Sequence, residues 1–143
     1  MIKVRTEIEI KAPAQHVWQI LIDFDRYPEW NPSIHEIQGD LHQGAKIEVR
    51  LGPPGKPGMT FRPVVTEVEP EKGLHWLGRL LIPGLMDGEH IFEIEAIDEN
   101  TTRFIHGEDY RGLLVRLFGH FVPDDGGRNY IAMNEALKQR AEE

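Results

Sequence analysis

The sequence predicts an α+β domain in which a curved antiparallel sheet of six to seven strands wraps a long C-terminal helix. Three observations predict it. Residues 2–11 alternate strictly between apolar and charged. Further alternating segments follow almost without a break from residue 33 to 111. Helical periodicity is confined to a short stretch after the first strand and to the C-terminus. A run of strands closed by a helix is a two-layer α+β arrangement.

The elements follow in order. Ile2, Val4, Thr6, Ile8 and Ile10 take one face of the first strand, and Lys3, Arg5, Glu7, Glu9 and Lys11 the other. Period two with one wet face is an antiparallel strand. Pro13 stands where a helix accepts its first residue. Ala14, Val17, Trp18 and Leu21 then recur at helical spacing. The stretch 24–32 holds two prolines and three aromatics, so it reads as a second short helix or turn, with Tyr27 and Trp30 as anchors. Ile47, Val49 and Leu51 alternate with Lys46, Glu48 and Arg50. The Pro/Gly-rich segment 52–58 is a turn, with a lid over a pocket as the other reading. Residues 59–69 form the next strand, with Val64, Thr66 and Val68 inward and Pro63 marking an edge or bulge. A strand through Leu74, Trp76 and Gly78 ends at Pro83-Gly84. Residues 87–97 and 101–111 make the last hairpin. Leu113, Leu114, Leu117, Phe118 and Phe121 form a helical stripe, broken near 123–127 and resumed by Tyr130, Met133, Asn134 and Leu137. No repeat and no linker divides the chain, so residues 1–143 are expected to be one domain.

Totals narrow the function. The 143 residues suffice for a core without staples. There is no cysteine, which removes disulfides and thiolate chemistry and makes a cytoplasmic setting the expectation. No apolar run is long enough for a membrane span, and the N-terminus reads as strand rather than signal peptide. The net charge of −8 argues against nucleic acid as partner.

One helix cannot cover a sheet this wide. The inward set of Val64, Trp76, Phe92, Ile94, Phe104, Leu117 and Phe121 therefore either fills a solid core or lines a cavity for a small hydrophobic molecule.

Three segments carry a resemblance: EIKAPAQHVWQILIDFDRYPEWNPSI, HWLGRLLIPGLMDGEHIFEIE, and the C-terminal TTRFIHGEDYRGLLVRL with AMNEALKQRAEE. Together they resemble the START-like (SRPBCC) superfamily of polyketide cyclase/dehydrase and lipid-transfer domains. YPEWNP and GEH are similar to a small bacterial branch. The resemblance spans almost the whole chain. It implies a helix-grip fold and a deep hydrophobic cavity with no obligate cofactor. It does not imply a particular chemistry, because this fold hosts binders, carriers and cyclases alike.

Chemistry concentrates on the last hairpin. Even positions carry Phe92, Ile94 and Phe104 on the apolar face, and the same faces carry His90, His106, Glu108 and Tyr110. A loop at 98–100 sets His90 opposite Glu108 and Phe92 opposite His106; a loop at 99–101 sets His90 opposite Tyr110. A carboxylate beside imidazole tunes proton transfer near neutrality, which suits a cyclase or dehydratase using His90, His106 and Glu108. The alternative is a satisfied structural network at a pocket mouth, with His90 or Tyr110 as partner of Glu108. No metal site is expected, since HExxH and fixed ligand spacings are missing. Trp76 is placed to stack a ring-shaped ligand or to fill the core. Arg62 is placed to meet a ligand carboxylate or to snorkel to the rim. Asn134 caps backbone or points a polar group inward. Three functions follow: carriage of a hydrophobic molecule, a cyclase-type enzyme, and a protein-interaction module like the chaperone activators of this superfamily.

Overall fold

A computed structural model of the chain describes residues 1–80, 82–118 and 127–143. Strand β1 spans Ile2–Ile10 and is followed by helix α1 (Ala14–Ile22), a 3₁₀ turn (Phe24–Arg26) and helix α2 (Tyr27–Trp30). Seven strands come next: β2 (Ile34–Gln38), β3 (Glu48–Leu51), β4 (Met59–Phe61), β5 (Val64–Glu69), β6 (Gly73–Leu80), β7 (Met86–Asp98) and β8 (Thr101–Arg111). Helices α3 (Leu113–Phe118) and α4 (Arg128–Ala141) close the chain. The fold is α+β and of the helix-grip kind, with a large antiparallel sheet and a C-terminal helix.

The expected single sheet is two. Five strands run in the order β1-β8-β7-β6-β5, and β2-β3-β4 form a second sheet. The cause is local. Residues 59–69 were expected to form one strand, but Arg62-Pro63 divides them into β4 and β5. Proline has no N–H to donate, so a ladder cannot pass through it. A seam still joins the sheets: Ile47 N donates to Pro63 O at 3.0 Å, Val65 N to Ala45 O at 2.8 Å, and Gly44 N to Val65 O at 2.8 Å.

The main sheet is ordered by cross-strand rows. Ile94, Phe104 and Ile8 form one row; Leu74, Phe92, His106 and Thr6 the next. Val65, Trp76, His90, Glu108 and Val4 form a third, and Gly78, Gly88, Tyr110 and Ile2 a fourth. Helix α4 packs on β1, β8 and α1. It buries Met133, Asn134, Leu137 and Ala141, while α1 buries Val17, Trp18 and Leu21. These helices cover the large apolar rows, and Phe92, Phe104, Leu74 and Leu137 are fully buried there. Phe24, Tyr27 and Trp30 pack edge to face, as anchors should. At Gly107 a Cβ would stand 1.9 Å from Val4 O, so only glycine lets β1 lie this close to β8.

The expectations for Val64, Thr66 and Leu117 fail for identifiable reasons, Thr66 turning outward to Glu89. A bulge between Val65 and Glu67 makes Val65, not Val64, the partner of Trp76; Val64 pairs with Leu77 on the other face. Leu117 is 61% exposed: among the described side chains of α3, which packs on β7 and β8, Val115 is the buried one. Phe121 lies outside the described residues. Among the described residues no helix is long and apolar enough to cross a membrane.

Candidate functional site

Space opens where the rows lose their side chains. Gly78 and Gly88 are direct partners on β6 and β7. Beyond them the β3–β4 hairpin folds over, and a cavity of about 340 Å³ lies between. Val49, Leu51, Met59, Phe61, Pro63 and Met86 form its apolar walls. Trp76, His90, Glu108 and Tyr110 form its end, with Arg79 as a further lining residue, half-exposed and 3.9 Å from Asp87.

Two hydrogen-bonded groups meet at that end. In the first, His90 Nε2 and His106 Nε2 are 2.7 Å apart. His106 Nδ1 lies 2.9 Å from Asn134 Oδ1, Asn134 Nδ2 donates to Thr6 Oγ1 at 2.8 Å, and Thr6 Oγ1 donates to His106 O at 2.8 Å. Trp76 stacks on His90 with centroids 5.2 Å apart. In the second, Tyr130 OH donates to Glu108 Oε2 at 2.8 Å, and Tyr110 OH lies 3.2 Å from Tyr130 OH. Tyr110 also hydrogen-bonds Glu108.

Burial sets the protonation. Desolvation, with the nearby His75 adding to it, pulls His90 down to about 3. Desolvation and His90 hold His106 well below the usual imidazole range, against the opposing pull of Asn134 and the Tyr130 backbone. Both rings are therefore neutral at pH 7. Glu108 is pushed up by burial, with Asp109 adding to it, and the two tyrosine hydrogen bonds oppose the rise. The folded protein thus holds the Glu108 proton more tightly than the unfolded chain does. Stability from this group is greatest in acid and falls as pH rises from the ordinary carboxylate range through the folded value. Glu108→Gln keeps an acceptor for Tyr130 and should match wild type within about 1 kcal/mol in acid. It should gain on wild type as the pH is raised, read as a growing difference in urea midpoint. A difference that does not change with pH would show that Glu108 ionises in the fold as it does in water.

Of the residues singled out by sequence, Trp76, His90, Glu108 and Tyr110 line the cavity. His106 is buried one row behind them. Phe92, Ile94 and Phe104 belong to the core under the helices. Arg62 stands on the outer side, exposed and 3.5 Å from Glu48, because its neighbours Phe61 and Pro63 take the inward positions. The expected partner of Glu108 was His90 or Tyr110; Tyr110 does hydrogen-bond it, Tyr130 of α4 donates to it as well, and His90 pairs with His106 instead. Sequence reasoning missed Thr6, Tyr130, Gly78 and Gly88 as parts of this site. Tyr130 did stand on the stripe of α4 with Asn134, and the glycines did stand on the cavity parity.

A fold of this kind with a half-open apolar cavity has relatives. The profile of the family described as polyketide cyclase / dehydrase and lipid transport matches residues 1–142. The chain belongs to that family. It is a START/SRPBCC-type protein, and solved structures agree in fold. An aromatase/cyclase, Zhui from a Streptomyces species, superposes with a TM-score of 0.73 at 16% identity, over 99% of this chain and 93% of that one. A START superfamily protein from Mycobacterium smegmatis gives 0.73 at 19% identity, over 98% and 97%. The di-domain ARO/CYC protein BexL gives 0.79 at 17% identity, over 99% of this chain and 47% of BexL. No curated protein sequence matches the chain. These identities speak for the fold, and the family description covers both ligand transport and cyclisation.

Proposed function

We propose that the protein binds a small hydrophobic molecule in the cavity between the β3–β4 hairpin and the main sheet, with the polar group of that molecule at the Glu108–Tyr110–His90 end. One observation carries the reading. The cavity of about 340 Å³ is walled mostly by apolar side chains, and His90, Glu108 and Tyr110 meet it from two adjacent cross-strand rows of the main sheet. Small-molecule sites have this composition, apolar area for affinity and a few polar groups for orientation. Family membership supports it, since lipid transport and polyketide cyclisation both require an apolar ligand to be enclosed.

A second reading has its own observation. His90 and Glu108 are direct cross-strand partners and line the same cavity. A carboxyl whose pKa is raised by burial, beside a neutral imidazole, would supply the donor and acceptor that a cyclisation or dehydration needs.

The test of binding uses N-phenyl-1-naphthylamine, an uncharged probe that fluoresces in apolar surroundings. The folded wild type should enhance its emission saturably. Trp76→Leu removes the ring face at the cavity end and should weaken binding about tenfold, in line with the loss of one aromatic contact. Cooperative unfolding should persist in the variant. A folded wild type that leaves the probe dark at saturating concentration would mean that the cavity does not admit ligand.

A further inference from the structure

The hydrogen-bond chain behind the cavity has a direction, and the direction can be derived. It ends on the backbone carbonyl of His106, which can only accept. Thr6 Oγ1 has one hydrogen and donates it there. Its oxygen must then accept from Asn134, which turns Nδ2 of the amide toward Thr6. Asn134 Oδ1 is left facing His106 Nδ1, so that nitrogen carries the proton. A neutral imidazole has one N–H, so His106 Nε2 is bare. The 2.7 Å contact with His90 then requires that His90 carry its proton on Nε2. His90 Nδ1 is left as a lone pair. Since Nε2 is engaged with His106, Nδ1 is the only ring nitrogen His90 can offer the cavity it lines.

The geometry points to Thr6, Asn134 and His106 as positioning residues that fix the His90 tautomer, and to an uncharged apolar molecule carrying a hydroxyl as the occupant. The ligand class rests on the cavity-binding reading above; the tautomer assignment does not. A bare imidazole nitrogen attracts a hydroxyl hydrogen and repels a carboxylate. Glu108, on the same row, is held by two tyrosine hydroxyls and carries no positive charge to pair with a carboxylate ligand. Arg79 is the one cation among the described lining residues, and it already faces Asp87. A free fatty acid would therefore bring a charge with no free cation to meet it and set it against the bare His90 nitrogen, whereas a hydroxyl finds a partner there. The chain ends on a backbone carbonyl and so has no exit for a proton. His106 accordingly orients His90 and relays nothing.

Two measurements test this. Nitrogen-15 correlation spectra of the imidazole rings in the ligand-free wild type, at neutral pH, should show opposite tautomers: His106 protonated at Nδ1 and His90 at Nε2. His90 protonated at Nδ1, or both rings protonated at the same position, would overturn the assignment without reference to any ligand. Binding of three probes reads the ligand class. 1-Naphthol should bind roughly tenfold more tightly than 1-methoxynaphthalene, which lacks the donor, and roughly tenfold more tightly than 1-naphthoate. His106→Phe leaves His90 without an acceptor and should reduce the naphthol preference to within about twofold. His106→Gln keeps an acceptor and should restore most of it. Equal binding of naphthol and its methyl ether to the wild type would sink the polarity argument while leaving the cavity reading intact. Failure of all three probes to bind would sink the cavity reading and the ligand class with it.

Discussion

Phenylalanine in place of Gly78 should weaken binding of N-phenyl-1-naphthylamine by about 100-fold or more, equivalent to about 2.7 kcal/mol, while the protein stays folded. Gly78 lines the cavity, and its partner Gly88 lines it as well. A Cβ at position 78 meets nothing closer than Gly88 O at 3.8 Å, an ordinary contact. Its backbone is outside the left-handed region, so a side chain causes no strain. The ring therefore grows from Gly78 into the cavity, beside the Glu108 carboxyl that stands over Gly88. Cavity filling and relief of a glycine inside a strand both favour the fold, the latter by roughly 0.5–1 kcal/mol. The expected pair of results is lost binding with an unchanged or higher melting temperature. Most damaging substitutions lower both, so this opposite movement is diagnostic. Retained binding in a folded Gly78→Phe protein would place the ligand site elsewhere.

The origin of that cavity shows what the sequence could and could not reveal. Alternation within β1, β7 and β8 is local, and it placed Ile8, Phe92, Ile94 and Phe104 on the inner face. Parity left two registers open for the last hairpin, and the observed one sets His90 opposite Glu108 and Phe92 opposite His106. The structure reaches that register by a route the sequence did not reveal. Asp98 pairs with Thr101 across a tight turn, and an irregularity after Ala96 restores the parity. Where a strand has a defect, alternation misleads. Pro63 and the bulge after Val65 moved Arg62 and Val64 off the inner face. Leu117 shows the matching weakness of helical stripes, since apolar spacing alone does not say which side of a short helix meets the sheet. In the sequence Gly78 is one more position of its strand and Gly84 a break. The meaning of Gly78 and Gly88 as missing side chains appears only once β6 and β7 are in register. Tyr130 and Asn134 depend on how α4 is rotated and shifted over the sheet, which no local period encodes.

Acidification from about pH 7 to about pH 5 should destabilise the protein by several kcal/mol, and the two buried imidazoles are the reason. In the unfolded chain each histidine takes up a proton near 6.5. In the fold His90 resists until about 3, and His106 also stays neutral well below its ordinary range. Between those limits unfolding absorbs protons, so stability is full above 6.5 and is lost as the pH falls beneath it. Each ring contributes about 1.4 kcal/mol per pH unit in that window. His90 alone gives roughly 2 kcal/mol at about pH 5, and His106 adds to it in the same direction, against a typical net stability of about 5–15 kcal/mol for a domain. Glu108 acts in the opposite sense and offsets one proton over part of the range. Urea unfolding across this interval measures the effect as the slope of stability against pH. His90→Gln should remove about one proton from that slope. A wild-type curve that is flat between these limits would mean the rings accept protons in place. The geometry opposes that at His106, where a proton on the bare Nε2 would set it against the His90 Nε2–H at 2.7 Å. A proton on His90 instead goes to Nδ1, leaves the His90–His106 contact in place and removes the lone pair that a hydroxyl needs. Where the protein stays folded in acid, the hydroxyl preference should therefore decline as His90 takes up its proton.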